Sequence, residues 1–185
     1  MTDIFEKCYN YTAARDVMKE GIYPYFHPLD SGQDSEVIIE GKRTIMIGSN
    51  NYLGLTSDAR VKNAAERAVR EFGTGCSGSR LLNGTLKLHV ELEHRLAEFV
   101  QKESALVFST GFQTNLGVIS AIAGRNDYII GDRQNHASIV DGCRLSFARL
   151  LKYKHSDMED LERILSEIPD NHGKLIVTDG VFSME

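Results

Sequence analysis

Two short stretches carry the residue types from which chemistry can be built. The first, Ser109-Thr110-Gly111, follows the apolar run 105–108 and precedes Leu116, Val118, Ile119 and Ile122 at helical spacing. The pattern reads as a strand over 105–109, a tight turn, and a helix over 111–123. A helix start presents unpaired N–H groups and the positive end of the backbone dipole, which suits a phosphate. Gly111 lets the backbone approach such a ligand, and the hydroxyls of Ser109 and Thr110 add donors. An ordinary strand-to-helix turn has the same composition. The second stretch, Asn135-His136-Ala137-Ser138, lies just past an apolar run ending at Gly131. A flat imidazole at the C-terminal edge of a sheet can stack on a planar ligand or move a proton. A histidine on a surface loop reads the same way.

Other polar positions each have two readings. Asp179 ends a strand and could pair with a ring nitrogen or a metal, or serve a turn. Asn50, in the polar turn 49–55, could hold a substrate carboxylate or stabilise its own turn. Gly73-Thr74-Gly75-Cys76-Ser77-Gly78 matches G-x-G-x-x-G, but it follows a helix, whereas the dinucleotide fingerprint follows a strand. That reading is rejected. His89 and His94 lie five apart on a charged helix and do not share a face, and His27, His155 and His172 sit in loops without a pattern. Cys8, Cys76 and Cys143 have no paired spacing, so neither a disulfide framework nor a metal site is expected.

The elements that must position these residues follow from periodicity. From residue 105 on, strands at 105–109, 127–131, 150–153 and 174–178 alternate with helices at 111–123 and 137–146 and with one opened by a capping box at 156–159. Such βα repetition implies an α/β sheet with helices on its faces. Upstream, two β-rich runs flank Glu40-Gly41-Lys42-Arg43 as a hairpin. Asp58 caps a helix with a stripe from Val61 to Phe72, Gly73 stops it, and Leu88, Leu92, Leu96 and Phe99 mark another helix. The 185 residues are 42% hydrophobic and 25% charged, with net charge −5, as in a water-soluble globular chain without a nucleic-acid footprint. No apolar run approaches the ~20 residues of a membrane span, no secretory signal is visible, and a cytoplasmic setting is expected. The last strand runs into a loop of the kind that holds ligands, so the chain is expected to be a fragment of a longer protein.

Six segments together resemble the α-oxoamine synthases: SNNYLGL (49–55), GTGCSGSRLLNGT (73–85), LHVELEHRLAEF (88–99), FSTGFQTNLG (108–117), NHASIVDG (135–142) and VTDGVFSM (177–184). The resemblance implies an aspartate-aminotransferase-like fold, fold type I of the enzymes that use pyridoxal 5′-phosphate (PLP). Residues 1–48 would be an N-terminal helix and hairpin segment of the small domain, and 49–185 an incomplete large PLP-binding domain. It also implies condensation of an amino acid with an acyl-CoA and loss of carbon dioxide. Within the family, GTGCSGSRLLNGT and YPYFHPL (23–29) look most like the bacterial serine palmitoyltransferases, which join L-serine to palmitoyl-CoA in the first step of sphingolipid synthesis. Glycine C-acetyltransferase and the 8-amino-7-oxononanoate and 5-aminolevulinate synthases are sister activities.

By this resemblance Gly111 and Phe112 present amides to the PLP phosphate, His136 stacks on the pyridine ring as the catalytic residue, and Ser183 touches the cofactor. Asn50 faces the substrate carboxylate, in a site shared across a homodimer. Where several relatives have Glu, this chain has Asp179. The Schiff-base lysine of the family lies in a segment with no match here, so the 185 residues are expected to be inactive alone. A non-catalytic partner subunit is the alternative. No metal, nucleic acid or transmembrane segment is implied, and peripheral membrane contact stays open.

Overall fold

The computed structural model describes residues 3–183 and forms two compact units, one up to Ser77 and one from Gly78. In the first, helices α1 (Glu6–Tyr9) and α2 (Ala13–Lys19) precede an antiparallel hairpin of β1 (Glu36–Ile39) and β2 (Lys42–Ile45), with Glu36 opposite Ile45. Its two turn residues, Glu40 and Gly41, have φ of 50° and 71°. That left-handed pair matches the twist of the flanking strands. Helix α3 (Ala59–Phe72) starts where the Asp58 carboxylate accepts the Arg60 N–H at 2.8 Å, and ends at Gly73 with φ 78°. The apolar stripe expected to face inward contains no buried residue among those described.

The second unit contains α4 (Lys87–Phe99), α5 (Gly111–Ile122), β3 (Tyr128–Asp132), α6 (Ala137–Ser146), β4 (Arg149–Tyr153), α7 (Met158–Glu167) and β5 (Lys174–Val177). The strands form a parallel sheet in the order β4-β3-β5, with Tyr128 level with Arg149 and Lys174. Central β3 is buried along its whole length. Its alternation sends Ile129 to one face, against Ile119 and Ala123 of the α5 end and Ile139 and Cys143 of α6. Tyr128 and Ile130 face the other way, with Tyr153, Ile164 and Ile168. Ile129 and Ile130 are fully buried, each worth about 2–3 kcal/mol of transfer free energy. Helices α5 and α6 approach closely because residue 142 is glycine. A Cβ there would lie 2.8 Å from the Asn115 carbonyl oxygen and 3.2 Å from Ile119 Cδ1.

Two expectations from periodicity are corrected. The segment 105–109 forms no strand among the described residues, and the Val107 N–H donates instead to Glu93 Oε1 at 3.0 Å. Apolar letters allow a strand, but a strand needs a neighbour. The cap of α7 is Asp157, which accepts the Asp160 N–H at 2.9 Å, while Ser156 stands outside the helix with φ 52°.

Glu93 also accepts Arg80 Nη1 at 2.6 Å and Nη2 at 3.0 Å, so one carboxylate ties the 78–85 loop, α4 and the run leading to Thr110. The Arg80 hydrogen bonds, then the Val107 amide, lower its pKa from 4.5 to about 2. A depressed carboxylate stabilises the fold above its ordinary pKa, and that contribution is lost as pH falls through the depressed value. Glu93→Gln is therefore expected to lower the urea midpoint at neutral pH. The deficit should shrink as pH is taken from 4.5 toward about 2. A deficit independent of pH would exclude this role for the charge.

Candidate functional site

Because the three strands are parallel, the loops after Asp132, Tyr153 and Val177 leave the same edge of the sheet. The start of α5 is built by Thr110, whose Oγ1 accepts the Gln113 N–H at 3.1 Å and whose carbonyl accepts the Thr114 N–H at 3.0 Å. The Gly111 and Phe112 amides have no partner among the described residues, and a Cβ on Gly111 would meet nothing within 4 Å. Orphan donors of a first helical turn thus border unfilled space.

Phe112 reaches His136, with ring centroids 6.2 Å apart and planes at 79°. His136 caps α6 and is held from two sides. Its backbone N–H donates to Asp179 Oδ2 at 2.7 Å. Its Nδ1 lies 2.8 Å from Ser138 Oγ and accepts the Ser138 N–H at 3.2 Å. Asn115 Nδ2 donates to the same Ser138 Oγ at 2.9 Å. Asn135 stitches the β3 and β5 loops together: Nδ2 donates to the Val177 carbonyl at 2.8 Å, and Oδ1 accepts the Asp179 N–H at 3.1 Å.

A second cluster locks the same edge. Asp132 is only 3% exposed. Its Oδ1 accepts the Gln134 N–H at 2.8 Å and faces His155 Nδ1 at 2.9 Å, while Oδ2 accepts the Ser156 N–H at 3.1 Å. Burial is the largest single influence and pushes its pKa up. The two amides and His155 together outweigh it and hold the carboxyl below its ordinary range. The His155 ring meets Phe182 edge-on at 4.5 Å, so the loops after β3, β4 and β5 are clasped through one carboxylate.

The structure therefore brings Gly111, Phe112 and His136 together. Ser183 is exposed on the β5 loop next to Phe182. Asn50 is an exposed residue of the first unit, its Oδ1 accepting from the Tyr52 hydroxyl at 3.4 Å. Asp179 accepts the His136 backbone N–H through Oδ2. No group of three or more His, Cys, Asp or Glu among the described residues is arranged to hold a metal, and no described helix is long and apolar enough to cross a membrane. Sequence reasoning assigned no role to Asn115, Asp132, Ser138 and His155. One signal was available: an aspartate closing an apolar, central strand must find partners.

The sequence model of the family "Aminotransferase class I and II" matches residues 42–185. The chain is 55% identical over 180 residues to a serine palmitoyltransferase of Sphingobacterium spiritivorum, covering 97% of this chain and 45% of the relative. It is 48% identical to an 8-amino-7-oxononanoate synthase of Thermoanaerobacter pseudethanolicus, covering 92% and 43%. Among solved structures, the S. paucimobilis serine palmitoyltransferase with a bound PLP–myriocin aldimine superposes with TM-score 0.94 at 39% identity, over 99% of this chain and 47% of that one. The chain spans about half the length of the relatives it matches.

Proposed function

The chain belongs to the aminotransferase class I and II family, and from that premise we propose that it is the N-terminal part of a PLP-dependent acyltransferase joining L-serine to palmitoyl-CoA. The product is a 3-keto amine, formed with loss of carbon dioxide as the first step of sphingolipid synthesis. The observation that carries the reading is the pair of orphan amides at Gly111 and Phe112, at the start of a helix whose Phe112 ring lies 6.2 Å from the exposed His136 ring. Serine palmitoyltransferase relatives at 55% identity support the choice of substrates.

The residues present fit the cofactor. Two free amides at the start of a twelve-residue helix suit a phosphate dianion, and a flat exposed ring suits a flat ligand. When bound, PLP supplies the electron sink for carbanion chemistry at the amino-acid α-carbon. Gly111 and Phe112 hold its phosphate, His136 covers its ring and orients the amino acid, and Ser183 contacts it from the β5 loop. Asn135 and Asp179 keep that loop against His136. Orientation of the reacting bond is the protein's main contribution. We place the enzyme in the cytoplasm as a homodimer, with Asn50 addressing the substrate carboxylate in the neighbouring subunit's site.

A second reading, condensation with a different amino acid and acyl thioester, is favoured by the 8-amino-7-oxononanoate synthase relatives. One experiment separates the two. The full-length protein should take up PLP with a new visible absorption band, and should yield a long-chain 3-keto amine from serine and palmitoyl-CoA. Absence of the band refutes the cofactor assignment. Turnover restricted to glycine, alanine or short acyl thioesters refutes the substrate assignment alone.

A further inference from the structure

Ser138 is 1% exposed, and its hydroxyl stands between two side chains that are distant in sequence. Asn115 Nδ2, an amide nitrogen that can only donate, lies 2.9 Å from Ser138 Oγ. His136 Nδ1 lies 2.8 Å away on the other side. The hydroxyl keeps a second lone pair, so it directs its single hydrogen at Nδ1 because that nitrogen is already held as an acceptor. The Ser138 backbone N–H is aimed at the same nitrogen, at 3.2 Å. A ring nitrogen facing two donors carries no proton of its own.

We propose that Asn115 and Ser138 are positioning residues that lock the His136 imidazole in the tautomer with its hydrogen on Nε2. The ring plane is fixed by the same contacts, because Nδ1 is anchored to the first turn of α6. Nε2 has no partner among the described residues. The lock leaves its N–H free for an acceptor oxygen of a bound ligand. The arrangement depends on the α5–α6 approach that Gly142 permits, since Asn115 and Ser138 lie 23 residues apart in the chain. The tautomer follows from the hydrogen bonds alone; its effect on amino-acid binding rests on the function proposed above.

Two-bond 1H–15N correlation spectra of the full-length protein, labelled with 15N-histidine, test the lock directly. His136→Asn identifies the resonances by their loss. The neutral ring in the parent protein should show a bare Nδ1 and a protonated Nε2. Ser138→Ala loses the hydroxyl but keeps the backbone N–H, so a minor population protonated on Nδ1 should appear, and Ser138→Thr should retain the parent pattern. Asn115→Asp should also mix the tautomers, because a carboxylate draws the serine hydrogen away from Nδ1. Amino-acid affinity of the PLP-loaded Ser138→Ala variant should fall about tenfold, the size of one hydrogen bond, while PLP uptake is unchanged. A proton on Nδ1 in the parent protein, or an unaltered pattern in Ser138→Ala, overturns the proposal. A parent protein that shows the tautomer but takes up no PLP would instead overturn the proposed function.

Discussion

Replacing His136 by alanine should weaken the amino-acid-induced spectral response of the PLP-loaded, full-length protein about a hundredfold, the penalty typical of a misoriented reactant. PLP uptake itself should change little. The reason is a division of labour at the sheet edge. The phosphate is assigned to backbone amides at Gly111 and Phe112, which the substitution leaves in place, whereas orientation of the ring is assigned to the imidazole. His136 also caps α6 through Nδ1, so alanine removes a helix cap as well. His136→Asn separates the two effects, because an amide oxygen caps a helix but offers no ring to stack. Titrating both variants with serine and following absorbance checks this. A response in His136→Asn equal to that of the parent protein would rule out stacking.

Loss of the Asp132 carboxylate should be the most damaging change for stability. Asp132→Ala takes the carboxylate acceptor from two amides and from the His155 ring at the sheet edge, and leaving such part-buried donors unsatisfied costs about 1–3 kcal/mol. Urea unfolding at neutral pH measures the loss. The pH dependence has a definite sign. The Asp132 carboxyl is held below its ordinary pKa of 3.8, so its contribution is complete above that value and disappears as pH falls through the depressed one. Parent and variant should therefore converge in strong acid. A variant within about 1 kcal/mol of the parent would mean that the β3, β4 and β5 loops hold together without the clasp.

Features encoded by residues within one turn of each other were legible in the sequence. The Glu40-Gly41 turn, the Asp58 cap, the Gly73 stop and the start of α5 at Thr110 each depend on neighbours a few positions away. The βα alternation and the six family segments were readable for a related reason. A buried strand and an amphipathic helix leave their periods in the letters, and the family segments keep their order along the chain. His136 was singled out because it follows an apolar run, where parallel sheets expose their ends, and Gly111 because it opens a helix with unpaired amides.

Contacts between segments far apart in the chain were decided by the tertiary structure. The run 105–108 looked like a strand, yet Glu93 rather than a neighbouring strand takes its amide. The capping box read at 156–159 starts at Ser156, yet Asp157 is the cap, and the Ser156 amide donates to Asp132 instead. His155 was indistinguishable from any loop histidine until β3 and β4 set it beside Asp132, 23 residues away. His136 was visible, but its hold by Asp179 spans 43 residues, and its tautomer depends on a serine that α5 reaches only through the gap at Gly142. A polar side chain's role is set by the donors and acceptors around it after burial. Periodicity along the chain carries the burial but not the identity of those partners.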